Sequence, residues 1–151
     1  MAGEMNKQLT PEIRAQIEAK HMTIFEFITL ASLVEKEALF DEDRPIIAAV
    51  FLKRLQIGMP LQSCASIQYI LGYPKPHISI EDTKLPSPYN TYMHVGLPPG
   101  PIANPGMKSM EAVLNAPSTD YLFFVADKEG HHHFTKTYEE HMKVVESIYG
   151  E

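Results

Sequence analysis

A single cysteine, Cys64, cannot close an intramolecular disulfide or build a cysteine-rich zinc site, so neither kind of staple is open to this chain. Basic residues are in deficit: 13 Lys and Arg stand against 19 Asp and Glu, a formal charge of −6. A surface that tracks phosphates needs a basic stripe, which excludes nucleic acid as a partner. Long apolar runs are lacking as well. No stretch approaches the about 18 residues that a spanning helix requires. The first thirty residues lack the basic-then-apolar layout of an export signal, so the polypeptide is expected to be soluble. What is present, 151 residues of which 44% are apolar, suffices for one domain with a real core.

Punctuation and periodicity divide the chain. Thr10-Pro11-Glu12 pairs an N-cap residue with proline at the first helical position and predicts a short helix to about Lys20. Thr23 with Glu26 forms a capping box ahead of Phe27, Leu30, Ala31, Val34 and Ala38, which predicts a helix over Phe25 to Phe40. Asp43-Arg44-Pro45 opens a third, continuing to Ile57 with Gly58 as its C-cap, and Ser63 to Leu71 reads as a fourth, closed by Gly72. From Gly72 to Gly106 the text is crowded with proline and glycine, broken by a capping-box turn at Ser79 to Asp82. The aromatic and branched residues inside it, Tyr89, Tyr92, Leu97 and Ile102, favour an ordered loop. Lys108 to Asn115 reads as a helix, Tyr121 to Val125 as a buried strand turning through Asp127 to Gly130 into a second strand, His131 to Thr135, and a last helix follows the capping box of Thr137 and Glu140. The class is α+β, with residues 1–22 as a lead-in helix and linker and residues 23–151 as the domain proper.

Three features invite chemistry. Glu35 and Glu37 flank opposite sides of an apolar helical stripe centred near Val34 and Ala38, and burial beside such a stripe favours the proton-holding form a general acid needs. Helical geometry does not choose between them. His131-His132-His133 lies on a strand, where alternation lets at most His131 and His133 share an ion; no third ligand joins them at a recognisable spacing, so no metal site and no cofactor are expected. Cys64 carries no signature of a catalytic cysteine and reads as a small hydrophobe.

Ala31-Ser32-Leu33-Val34-Glu35-Lys36-Glu37, then Ala49 through Ser63 ending in Gly58-Met59-Pro60-Leu61-Gln62-Ser63, then Ser87-Pro88-Tyr89-Asn90-Thr91-Tyr92, Gly96 through Gly106 and Tyr121 through Ala126 follow one another in an order that resembles the catalytic domain of the MltG (YceG-like) endolytic murein transglycosylases. The likeness runs over about residues 23–143. It implies a lytic transglycosylase that cuts the MurNAc-β-1,4-GlcNAc bond within peptidoglycan strands and leaves a 1,6-anhydro-MurNAc end. The essential carboxylate of that family is the second Glu of Glu-Lys-Glu, which here is Glu37. Members are normally held by an N-terminal transmembrane helix and carry a LysM-like domain ahead of the catalytic one, so the resemblance implies an excised C-terminal domain. It also implies action in the bacterial cell envelope, at the outer face of the cytoplasmic membrane, with the cell-wall synthesis machinery as a partner. Some relatives have Asp after Leu-Gln-Ser/Thr where this chain has Cys64, so this chain has no carboxylate at that position.

The residues suit that chemistry. Anhydro-ring formation uses the sugar's own C6 hydroxyl as nucleophile, so one carboxyl can act first as acid and then as base. Gln62, Ser63, Tyr89, Asn90, Thr91, Tyr92 and Asn104 offer amides, hydroxyls and aromatic faces to sugar rings, and the proline-rich loop is expected to wall a groove opposite Glu37 with Asn90 in direct contact. Two other readings stay open: a water-using glycan hydrolase with Glu35 or an acidic loop residue as second carboxylate, and a non-catalytic peptidoglycan-binding module in which Glu37 only touches the ligand.

Overall fold

Three helices make the centre of the molecule because their sequences bury the largest side chains. The computed structural model describes residues 9–73, 75 and 78–150. Among these, six α-helices and one hairpin follow one another: α1 (Pro11–Ala19), α2 (Ile24–Glu37), α3 (Arg44–Ile57), α4 (Cys64–Leu71), α5 (Met107–Leu114), β1 (Phe123–Ala126), β2 (His132–Thr135) and α6 (Tyr138–Tyr149). The class is α+β, as the alternation of patterns requires. Phe27, Leu30 and Val34 of α2, Ile47 and Phe51 of α3 and Val113 of α5 are wholly buried against one another. At roughly 1.5–3 kcal/mol for each such side chain, this contact dominates the stability. Leu9 and Ile17 bring α1 onto the same core.

Caps set the boundaries. Thr23 Oγ1 accepts from the Glu26 N–H and the Glu26 carboxylate accepts from the Thr23 N–H, so both partners of the capping box at α2 are engaged. Thr137 and Glu140 repeat the device at α6, and Gly58 and Gly72 close α3 and α4 in the left-handed conformation. Two expectations need correction. Helix α2 ends at Glu37 instead of Phe40, because Ala38 is extended and Phe40 turns away to stack on His131 at 3.9 Å. The Thr29 and Ser32 side of α2 is buried as well; the Ser32 hydroxyl donates to Thr29 O and accepts from the Ile102 N–H of the loop. The first strand is half-buried, not buried, and covers Phe123–Ala126.

That half-burial reflects a two-stranded ribbon lying between layers. Phe124 meets Phe51 of the helical core edge-to-face at 5.6 Å, while Phe123 on the other face meets Tyr138 and His141 of α6. The antiparallel register pairs Phe124 with Phe134 and Ala126 with His132. The long loop from Gly72 to Gly106 is pinned at buried Asn90, Thr91 and Ile102; Pro74, Pro76 and His77, read as part of it, lie outside the described residues.

Gly130 closes the hairpin at φ +97°, and a Cβ there would come within 2.3 Å of Leu39 Cδ2. Leu39 is exposed and can move, so the backbone conformation sets the cost. Gly130→Ala is expected to destabilise by about 1–2 kcal/mol, measured by urea unfolding with an unchanged slope.

Candidate active site

Glu37 is the last residue of α2, half-buried where that helix runs into the start of α4. Its Oε1 accepts from Ser63 Oγ at 2.7 Å and from the Ala65 N–H at 3.1 Å. Both donors belong to the first turn of α4, whose N–H groups have no partner within the helix and whose dipole favours negative charge. Ser63 is the N-cap residue of α4, yet its hydroxyl caps nothing in its own helix and is free to hold Glu37. Ser63 is fixed in turn by its N–H to Thr91 Oγ1 at 2.8 Å, and the Thr91 and Ser66 hydroxyls lie 2.8 Å apart; all three residues are buried. Among the described residues nothing hydrogen-bonds Glu37 Oε2. The carboxylate therefore has one oxygen clamped and one free.

Glu37 lines a cavity of about 440 Å³ that is completed by Arg54 of α3, Cys64, Tyr92, strand β1, His132 and His141. Cavities of about 630 Å³ beside Leu97 and about 530 Å³ beside Lys53 are larger, but Glu37 lines neither. Arg54 is only 5% exposed and spends its donors on carbonyls: Nε on Leu122 O at 2.8 Å, Nη1 on Pro60 O at 2.9 Å and Leu61 O at 3.1 Å. Cys64 Sγ and the Tyr92 hydroxyl are 3.2 Å apart. Cys64 keeps accessible surface, but crowding around its thiol pushes it up to about 11, reinforced by the charge of Glu37 and opposed by the Tyr92 bond. Burial, and then Cys64, raise Tyr92 above the ordinary tyrosine range. At neutral pH the thiol is a neutral lining group and not a nucleophile.

Glu35 has a different task. Its Oε1 accepts from the Gly106 N–H at 2.9 Å and the Ser109 hydroxyl at 2.8 Å, and Arg44 approaches its Oε2 at 3.7 Å. It binds α2 to the start of α5. Burial works to raise its carboxyl, but the Gly106 and Ser109 bonds and the charges of Arg44 and Lys36 outweigh it and hold Glu35 below the usual glutamate value. Two carboxylates two residues apart are thus separated by their surroundings.

The sequence profile of the YceG-like family matches residues 1–147. The chain belongs to the YceG-like family. It is 44% identical over 133 residues to a Bacillus subtilis (strain 168) protein named endolytic murein transglycosylase, covering 88% of this chain and 37% of that protein. A Streptococcus pneumoniae (serotype 2, strain D39) protein of the same name is 42% identical over 147 residues, covering 93% of this chain and 26% of its own length. The crystal structure of a yceG-like protein of Listeria monocytogenes superposes with a TM-score of 0.83 at 44% identity, covering 88% of this chain and 44% of that one. The chain therefore spans less than half the length of each of these relatives.

Within this YceG-like chain the residues singled out from sequence separate into three groups. Gln62 and Tyr92 line the cavity with Glu37, and Gln62 does so at φ +51° with its Oε1 3.3 Å from Arg54 Nη1. Ser63 and Thr91 are buried behind it and act through the Glu37 clamp. Asn90, Tyr89 and Asn104 are not cavity-lining. Asn90 is wholly buried: its Nδ2 donates to Thr83 O and Leu85 O, and its Oδ1 accepts from the Tyr92 N–H, so it ties the loop instead of meeting a sugar. Tyr89 leans on Tyr69 with ring centroids 4.9 Å apart, and Asn104 is exposed elsewhere. The cavity facing Glu37 is walled largely by the hairpin and α6, not by the proline-rich loop, whose share is Tyr92. Among the histidines, His131 lies near Glu42 and His133 near Asp127, so the two do not converge. Among the described residues no group of three or more His, Cys, Asp or Glu is arranged to hold a metal ion. Sequence reasoning missed Arg54 and His132. Arg54 was within reach, since it stands at helical spacing behind buried Ile47, Val50 and Phe51 and so falls on the inner face.

Glu35→Gln is expected to destabilise by about 1–2 kcal/mol at pH 7. Because the folded carboxyl lies below its unfolded value, the stability it contributes is present above the ordinary glutamate value near about 4.3 and is lost as pH falls through the lower folded one. Thermal melts of wild type and variant should converge as pH drops below 4.3; a gap that is constant down to the acid limit contradicts this. Asn90→Ala should cost about 2–4 kcal/mol in urea unfolding, since it strands two carbonyls and an N–H in the interior.

Proposed function

We propose that this domain is an endolytic lytic transglycosylase of peptidoglycan, with Glu37 as the single residue that moves the proton twice. The observation that carries the reading is the clamp: Oε1 is occupied by Ser63 and Ala65, so a proton on Glu37 resides on Oε2, the oxygen without a partner among the described residues. Glu37 donates it to the glycosidic oxygen as the oxocarbenium-like centre develops on MurNAc. The bond to the leaving GlcNAc breaks, the C6 hydroxyl attacks the anomeric carbon, and the carboxylate takes that hydroxyl's proton, which closes the 1,6-anhydro ring. Atoms and charge balance without water, metal or cofactor.

The relatives' shared name supports the substrate class. Neutral donors suit a neutral glycan: the Gln62 amide and the Tyr92 hydroxyl, which remains protonated, stand in the same cavity as Glu37. A hydrolase would need a second carboxylate to activate water, and Glu35 is committed to Gly106, Ser109 and Arg44. In the cell we place this activity at the outer face of the cytoplasmic membrane, on glycan strands delivered by the wall-synthesis machinery, with a membrane anchor in the whole protein.

Glu37→Gln is expected to keep the melting temperature within a few degrees and to cut turnover of uncrosslinked glycan by at least about a thousandfold. Ser63→Ala should cost about ten- to a hundredfold, through loss of orientation. Binding of glycan by wild type with no cleavage, or equal loss in Glu35→Gln and Glu37→Gln with both folded, overturns the assignment.

A further inference from the structure

The cavity around Glu37 holds a second pair of side chains that this mechanism does not use. His132 opens β2, and its ring is packed by Phe124 at 5.5 Å and Phe134 at 6.2 Å, leaving 2% of the side chain accessible. Its Nδ1 lies 3.4 Å from Asp43 Oδ2, and the same oxygen accepts the His132 backbone N–H at 3.0 Å. Asp43 is itself buried, and among the described residues no Lys or Arg pairs with it: neighbouring Arg44 faces Asp41 and Glu35 instead. A buried carboxylate must be met by donors, and both donors here belong to His132.

This arrangement decides which ring nitrogen is free. With Nδ1 turned to Asp43, the remaining ring nitrogen is Nε2, which no described residue hydrogen-bonds. Strand alternation turns His131 and His133 away, the first onto Phe40 and the second onto Asp127, so His132 alone of the three lines the cavity that Glu37 lines. The aromatic packing leaves the ring little freedom to turn.

We propose that His132 is a substrate-contacting residue of the glycan site, its Nε2 hydrogen-bonding to a sugar hydroxyl, and that Asp43 is a positioning residue that holds the ring by its Nδ1. No bond to His132 is made or broken. The proposal rests on the reading that glycan occupies the Glu37 cavity, and its test therefore records binding without turnover.

The full chain carrying Glu37→Gln, with histidine ring nitrogens labelled, is titrated with an uncrosslinked peptidoglycan tetrasaccharide and followed by long-range proton–nitrogen NMR. The free protein should show His132 with a proton on Nδ1, and saturation with sugar should shift its Nε2 resonance. His132→Phe, which keeps the aromatic packing but removes one of the two donors to Asp43, should stay folded with a lowered melting temperature and raise the Kd about tenfold or more. Asp43→Asn should raise it by less, and should add under about twofold in the His132→Phe background, because the two act as a unit. Tetrasaccharide binding with Nε2 unmoved at saturation, or with Kd unchanged in a folded His132→Phe, overturns this proposal alone. Absence of any binding overturns the glycan reading and this proposal with it.

Discussion

The site depends on one buried cation. Arg54 leaves α3 on the face that points inward and has no carboxylate partner among the described residues; its charge is met by the carbonyls of Pro60, Leu61 and Leu122 and by the face of Phe123, 5.3 Å away. Those carbonyls belong to two segments far apart in sequence, the stretch leading to α4 and the stretch leading into β1. Stranding a buried guanidinium is costly, so wherever α3 goes both segments must follow. The first brings Gln62 and Ser63 to Glu37, and the second brings the hairpin across the cavity. The surroundings of Glu37 are thus set by the guanidinium of Arg54.

The two glutamates show how surroundings divide identical chemistry. Glu35 and Glu37 are both on the last turn of α2 and both meet the start of a following helix, α5 for one and α4 for the other. Glu35 receives a hydroxyl, an N–H and an arginine spread over both oxygens, which makes it a fastener. Glu37 receives both of its donors on one oxygen, and among the described residues nothing hydrogen-bonds the other. What separates the two carboxylates is which lone pairs are spent.

Much of the scaffold was legible because its signals are local. Capping boxes at Thr23 and Thr137, glycines after α3 and α4, and the hairpin turn each encode their own geometry within a few residues. The errors arose where tertiary contact overrules local pattern: α2 stops early because Phe40 finds His131, and the first strand is only half-buried because its hairpin lies between two layers. In the site, Gln62 and Tyr92 were legible as polar groups near the right motif, but the burial of Asn90 was not, since an asparagine that faces sugars and one that ties a loop are spelled alike. His132 was hidden for another reason. Its partner Asp43 lies 89 positions away, and no spacing rule joins them.

The most direct test of the account is to cleave uncrosslinked glycan with the wild-type chain in oxygen-18-labelled water and weigh the fragments. A carboxyl acting alone on the sugar's own hydroxyl predicts MurNAc ends lighter by one water and free of the label. Reducing MurNAc ends that carry the heavy oxygen would show that water is the nucleophile, and the single-glutamate mechanism would be wrong.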